Sequence, residues 1–372
     1  MNKNILVIVT LFYPENLIGA IRNTKIVKFL SILGYSITVV TPTPQDTIED
    51  KTLYFENYPQ IRHIIVPHGA IFSKMFKSRR DSYKSKQPTA TKAKQSTHNN
   101  FENMLGEVYT IFKDFDWKYQ VLKNHEIQQL LRSEKFELLL TGSPSHSTQS
   151  IGRVIKKKGT VDYWVADFRD PVIDRFMVLP FNKSSAKKFT RNVCKHADAI
   201  TAVSKGCLDN LFANFHPNKY IIPNGFDRDD LKGIDSVLPE KFTLSYLGTL
   251  YSGRRDITPL FKVLSELITD NLIDPRDICV RYAGSSRLDF INQAKTYNLD
   301  SVVDAIDAVP RVESLKTQLE SHLLILASWN NVGDEGVVTG KFLEYMMIQR
   351  PVVALIAGNL KNSILKQMMK DS

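Results

Sequence analysis

Cysteine is scarce in this chain: Cys194, Cys207 and Cys279 are the only three in 372 residues, and no two stand in a CxxC spacing. That excludes a disulfide framework and a zinc knuckle, and leaves three reduced thiols suited to a core. The eight histidines form no HExxH pair, so neither a metal site nor a metal cofactor is expected. Long apolar runs are missing too, since none approaches the roughly 18 residues of a membrane span. Lys3 and the apolar run from Ile5 to Phe12 resemble a leader. Tyr13-Pro14-Glu15-Asn16 interrupts it before any cleavage site, however, and its β-branched residues favour a buried first strand. Two glycine fingerprints are absent as well. No GxGxxG follows the first strand, which excludes a dinucleotide dehydrogenase. Gly336 and Gly340 are separated by three residues rather than four, with Phe342 where a P-loop has Ser or Thr, which excludes a P-loop NTPase. No separate cofactor is expected.

What the chain does hold is ordinary globular composition, 43% hydrophobic and 24% charged, with a net charge of +10 that favours anionic partners. Eight Lys or Arg residues fall between Lys74 and Lys94 against one Asp, in a Ser/Thr/Gln-rich setting that reads as a basic surface insertion over about 74–100. Its only aromatics are Phe76 and Tyr83, so nucleic acid is not the expected partner and an anionic membrane surface is.

The periodicity alternates strand and helix almost throughout. Strand Ile5–Thr10 leads to a helix over 19–33 whose stripe Ile26, Phe29, Leu30 and Leu33 reads as its buried face, with Gly34 closing it. A helical region over 101–132 precedes strand Phe136–Thr141. After a Gly- and Pro-bearing linker at 228–241 the pattern restarts with strand Phe242–Leu247. Two doubly wound α/β domains, 1–227 and 242–372, are the expected architecture. Ligands of such sheets bind beyond the carboxyl ends of the strands, here the loops after Thr10, Thr141, Ala166, Leu247 and Ala327.

Those loops carry the chemistry. Gly248, Thr249, Arg254 and Arg255 make a turn with two arginines suited to phosphate. Thr339 is a helix N-cap, Gly340 leaves the first turn open, and Lys341 opposes the helix dipole there, a cost that an anion at the helix start offsets. His146 follows a strand end in Ser143-Pro144-Ser145-His146. Asp167, Arg169 and Asp170 read either as an ion-paired strand end or as groups facing a ligand.

These pieces, in this order and spacing, resemble glycosyltransferase family 4: retaining, nucleotide-sugar-dependent enzymes of the GT-B fold, two Rossmann-like domains facing a cleft. The matching segments are Tyr13-Pro14 through Gly19 and Arg22, Ser143 to His146, Asp167 to Pro171, Ala202-Val203-Ser204 and Ile222 to Asp227. Tyr246 to Leu250, Thr339 to Tyr345 and Arg350 to Val353 complete the set. The likeness is greatest to enzymes of bacterial surface-polysaccharide assembly. It implies that Glu344 holds the ribose, and that Arg254 and Lys341 neutralise the diphosphate with Gly248, Thr249, Arg255 and Gly340 around it. It implies that Gly19 lets its loop approach phosphate and sugar, and that His146 contacts the sugar near the reacting carbon. Glu335, one position out of the family's usual register, is assigned to sugar hydroxyls, and Asp167, Arg169 and Asp170 to the acceptor side. The partners implied are a nucleotide-sugar donor and a glycan or lipid-linked acceptor. The place implied is the cytoplasm, peripheral at the inner face of the plasma membrane, and no metal is implied. Only 21 residues follow Pro351, so the second domain is expected to be truncated. That leaves a non-catalytic nucleotide-binding protein as one alternative and a nucleotide-sugar epimerase of the same fold as another.

Overall fold

The computed structural model describes residues 4–44, 50, 58–74, 100–143, 145–170, 180–211, 216–251, 253–331, 339–360 and 363–370, with backbone alone at 100–105, 180–183 and 364. Most of the basic insertion, and Glu335 with its neighbours, lie outside these residues. The chain divides into two compact units, Met1–Pro223 and Asn224–Ser372.

In chain order the first unit holds β1 (Asn4–Ile8), α1 (Ile18–Ile32), β2 (Ser36–Thr41), β3 (Ile61–Ile65), α2 (Asn100–Lys123), α3 (His125–Ser133) and β4 (Phe136–Gly142). There follow α4 (His146–Lys157), β5 (Val161–Phe168), α5 (Pro180–His196), β6 (Ala199–Ala202), α6 (Lys205–Asn210) and β7 (Lys219–Ile221). All strands pair in parallel, in the order β3-β2-β1-β4-β5-β6-β7. Because successive side chains of a strand face opposite ways, β1 feeds two cores. Leu6 and Ile8 pack with Trp117, Val121, Ile151 and Val193, whereas Ile5, Val7 and Val9 pack with Val27 of α1. Helices on both faces explain why β1 reads as an unbroken apolar run. The order reverses between β1 and β4, so the ligand position of this sheet lies off their carboxyl ends.

The buried face of α1 differs from the expected stripe. Ala20, Asn23, Thr24, Val27 and Ser31 are buried, while Phe29 and Leu33 are 46% and 65% exposed. Small and polar residues face inward because they hold the loop after β1: Thr24 Oγ1 accepts from the Tyr13 amide (3.1 Å) and Asn23 Nδ2 donates to the Leu11 carbonyl (2.8 Å). Apolar periodicity alone selects the other face. The helical region expected over 101–132 is two helices, broken at Asn124, whose Oδ1 caps α3 by accepting from the Ile127 amide (3.0 Å).

Burial lowers the pKa of His63 on β3 to about 4, with its Nε2 2.8 Å from Thr41 Oγ1. Burial also lowers those of His68 and His146. An unfolded histidine titrates near 6.5, so the unfolded chain binds more protons below that pH. The stability His63 contributes is complete above pH 6.5 and is lost as pH falls toward 4, up to about 3 kcal/mol. Urea unfolding at pH 7 and pH 4.5 is expected to show this loss, and His63→Gln to shrink it; an unchanged difference would count against the account.

The second unit opens with a 3₁₀ turn, Arg228–Leu231, in the stretch expected to be linker. Its Leu231, with Ile234, packs on the core. Then come β8 (Phe242–Leu247), α7 (Thr258–Thr269), β9 (Ile278–Ala283), α8 (Arg287–Thr296) and β10 (Val303–Ile306). The unit continues with α9 (Arg311–Leu319), β11 (Leu323–Trp329), α10 (Gly340–Ile348), β12 (Val352–Ala357) and α11 (Ile364–Lys370). The five strands are parallel in the order β10-β9-β8-β11-β12, which reverses between β8 and β11. Tyr246, Tyr282 and Phe290 stack in its core, at 6.0 and 4.5 Å between successive ring centroids.

Candidate functional site

Two structures line the reversal point of the second sheet. The first is the loop leaving β8. Gly248 takes φ 141° and Gly253 φ 85°, backbone that favours glycine. Gly284, after β9, packs against this turn so closely that an added Cβ would overlap the Gly248 carbonyl and the Tyr282 hydroxyl. Gly284→Ala is therefore expected to shift the Gly248 loop and cost about 1–3 kcal/mol, read by thermal melting. Thr249 and Ser285 share a 2.8 Å hydroxyl contact, and Ser286 Oγ accepts from the Leu250 amide.

Arg255 is the arginine that the loop holds in place. Its guanidinium lies 4.6 Å from the Tyr251 ring and 5.6 Å from the Trp329 ring, and Nη1 donates to the Thr249 carbonyl (3.2 Å). Arg255 Nε and Trp329 Nε1 are both sheltered from water, with no hydrogen-bond partner among the described residues. Burial pushes the Tyr246 phenol up to about 12, and Arg255 pulls against that rise. The same cation acts on Tyr345 of α10, raised further by its own burial, so α10 and the β8 loop share one electrostatic environment. Arg254, half-buried beside it, anchors the turn through its amide to the Tyr251 carbonyl (3.2 Å).

The second structure is the start of α10. Thr339 occupies the N-cap with extended φ/ψ, yet its hydroxyl makes no cap bond; it is buried without a partner among the described residues. No acidic residue stands in the first turn, where Lys341 does. Lys341 Nζ lies 2.7 Å from Glu344 Oε2, which also accepts from Gln318 Nε2 (3.2 Å), while Oε1 lies 3.9 Å from Arg311 Nε. Burial raises the Glu344 pKa, but Lys341 and Arg311 outweigh it, so the group stays ionised below the usual carboxylate range. Arg311, 6% exposed, also pairs with Asp230 at 2.8 Å. Lys341 and Glu344, assigned by resemblance to phosphate and ribose, are thus each other's partners in this structure.

At the reversal point of the first sheet stands His146, at the start of α4. Ser145 caps the helix by accepting from the Ser147 amide, and Asp114 of α2 holds both positions: it accepts from Ser145 Oγ (2.6 Å) and from the His146 amide (2.9 Å). The His146 ring lies 4.9 Å from that of Phe189. Burial lowers its pKa against the opposing pull of Asp114, so it is neutral at pH 7, able to bond a hydroxyl without adding charge. Lys113, its own pKa lowered by burial, feels both Asp114 and Glu15, and Glu15 is itself only 3% exposed. Gly19 receives a neighbour rather than open space, since a Cβ there would collide with the Arg169 guanidinium.

Asp167 is 4% exposed and fully engaged. Arg22 donates to both its oxygens (3.2 and 3.0 Å), and Thr201 Oγ1 donates to Oδ1 (2.6 Å). Its part is to hold the strand end. Arg169 and Asp170 pair with each other at 2.5 Å and keep solvent-facing surface. Asp114, Lys113, Arg311, Gln318 and Asp230 are the residues that sequence reasoning missed. Of these, Arg311 alone carries a signal, a cation in the first turn of a helix as at Lys341.

No protein-family model matches the sequence, and no curated protein matches it. Solved structures do. A UDP-forming α,α-trehalose-phosphate synthase from Burkholderia xenovorans aligns over 95% of this chain and 85% of its own, at a TM-score of 0.56 and 10% identity. A sucrose-phosphate synthase from Thermosynechococcus elongatus aligns over 96% and 82%, at 0.55 and 13%. The fold is GT-B. WaaG, a glycosyltransferase involved in lipopolysaccharide biosynthesis, aligns over 98% and 88%, at 0.50 and 10%. At such identities the GT-B likeness is one of fold alone.

Proposed function

We propose that the chain is a retaining glycosyltransferase of the family 4 type. It moves a sugar from a nucleotide-diphosphate sugar to a glycan or lipid-linked acceptor in cell-surface polysaccharide synthesis, in the cytoplasm at the inner face of the membrane. What carries the reading is the reversal point of the second sheet. There a guanidinium lying against two aromatic rings (Arg255), an ammonium at an open helix start (Lys341) and an ionised carboxylate one turn on (Glu344) come from neighbouring strand ends. Two cations and a helix N-terminus suit a diphosphate, and a carboxylate suits ribose hydroxyls. That two of the proteins of like fold are a UDP-forming synthase and a glycosyltransferase accords with it.

In this reading the donor's diphosphate leaves against Arg255, with Arg254, and Lys341. Charge developing on the leaving oxygen is met by positive groups already in place. The acceptor hydroxyl attacks from the same face, and its proton passes to the departing diphosphate. His146 bonds a sugar hydroxyl as a neutral imidazole, and Arg169 and Asp170 serve the acceptor. The cations take the part a metal plays elsewhere, so turnover is independent of divalent ions. Incubation with a panel of nucleotide sugars and a membrane fraction, with and without EDTA, is expected to release nucleoside diphosphate equally in both arms. Release from no donor would sink the proposal, and release only with a divalent ion would sink its metal independence.

A further inference from the structure

One face of the first unit combines two features the proposed chemistry does not use. The first is a row of exposed aromatics on α2. Phe112, Phe115 and Tyr119 are 60%, 68% and 54% exposed, opposite the buried Trp117 and Val121 of the same helix. Ile111 (42%) extends the row. The acids of that helix within reach are drawn elsewhere: Asp114 to the start of α4, and Asp116 to His68 and the Gly69 amide. The second feature is charge. α4 packs against both α2 and α5 in the same layer. Residues 146–158 and 180–196, which include α4 and α5, hold nine Lys or Arg residues and no Asp or Glu. Lys157, Lys158, Lys187, Lys188, Arg191 and Lys195 are exposed.

We propose that this outer face of α2, α4 and α5 is where the protein lies on an anionic lipid bilayer. Aromatic rings seat at the level of the headgroups, and lysine and arginine beside them draw to the negative surface. Among the described residues no helix is long and apolar enough to cross a membrane, so the contact is one of surface. The opposite face of the same sheet offers a competitor, the exposed Phe29, Ile32 and Leu33 of α1. On that helix it carries Lys25 and Lys28, both half-buried, against six exposed cations on the other side. Charge decides between the two faces. A duplex nucleic acid would use the cations too, but its bases are already stacked on one another and give the exposed rings nothing to stack on. The inference extends the proposed use of a lipid-linked acceptor, yet it stands on this surface alone.

The test is co-sedimentation of the full chain, at low salt and with no nucleotide sugar, with vesicles of phosphatidylcholine and phosphatidylglycerol in equal parts. Binding to these and not to phosphatidylcholine alone is expected. Phe112→Ser with Phe115→Ser should weaken it about tenfold. Lys188→Gln and Arg191→Gln should weaken it about fivefold for each charge removed. All four side chains are exposed, so thermal melting should be unchanged. Phe29→Ser with Leu33→Ser should leave vesicle binding as it was. No binding to the anionic vesicles overturns the proposal, and so does loss confined to the α1 pair. Duplex DNA that displaces the vesicles, bound without regard to Phe112 and Phe115, overturns it in favour of a nucleic-acid face. No donor is present, so failure here leaves sugar transfer standing, and failure of transfer on every donor leaves vesicle binding standing.

Discussion

Lys341→Ala is expected to slow sugar transfer by about 100- to 1,000-fold, the usual consequence of removing one preorganised donor from developing charge. The loss should fall mainly on kcat, because the diphosphate gains charge as the glycosidic bond breaks. Glu344→Gln should behave differently. A ribose contact is alike in ground and transition states, so its loss belongs in KM. The two residues form one ion pair, so their substitutions should also be non-additive, and the double variant should lose less than the product of the single losses. There is a further signature. Without Lys341 the carboxyl of Glu344 loses the stronger of the two cations that keep it ionised against burial, and Arg311 alone remains. Its pKa should rise, giving the variant an acid limb in its pH–rate profile at higher pH than the parent. Equal losses in kcat and KM for both variants, additive in combination, would show that the pair does not divide its labour in this way.

Arg22→Ala carries the largest expected effect on stability, about 3–5 kcal/mol, because it leaves the Asp167 carboxylate buried without its countercharge. Both side chains are nearly inaccessible, at 5% and 6% exposure. Arg22 further donates to the Pro223 carbonyl (3.1 Å), at the last residue of the first unit. Lysine should rescue little, since a single ammonium cannot repeat the two-pronged contact. Replacing both partners with apolar residues of similar size should recover much of the loss. Urea unfolding of Arg22→Ala, Arg22→Lys and the double variant checks this. A loss below about 1 kcal/mol for Arg22→Ala would mean that the pair is no more than a surface ion pair in its energetics.

Much of the fold could be read from local pattern. Phe242–Leu247 runs as its periodicity predicts, because it presents a plain apolar face bounded by turn residues. The pattern misleads where a helix packs through small and polar groups: Ala20, Thr24 and Ser31 face the sheet in α1 while Phe29 and Leu33 do not. Asn124 breaks a helix whose apolar periodicity runs through it, and only its cap bond reveals why. At the site, loops at strand ends were legible because parallel sheets put ligands there. The side chains that hold them were not, since they arrive from far along the chain. Asp114 reaches the His146 amide across 32 residues, and Gln318 reaches Glu344 across 26. Nor could the sequence distinguish Arg255, lying against both Tyr251 and Trp329, from its neighbour Arg254; that choice depends on a ring supplied by β11.

The central claim is a nucleoside-diphosphate site at the reversal point of the second sheet, and calorimetric titration with UDP, GDP, ADP and dTDP tests it most directly. The account predicts saturable one-to-one binding of at least one of them, weakened at least tenfold by Arg255→Ala and by Lys341→Ala, as befits the loss of a charge-assisted phosphate contact. No binding of any of the four, or binding that neither substitution weakens, would contradict it.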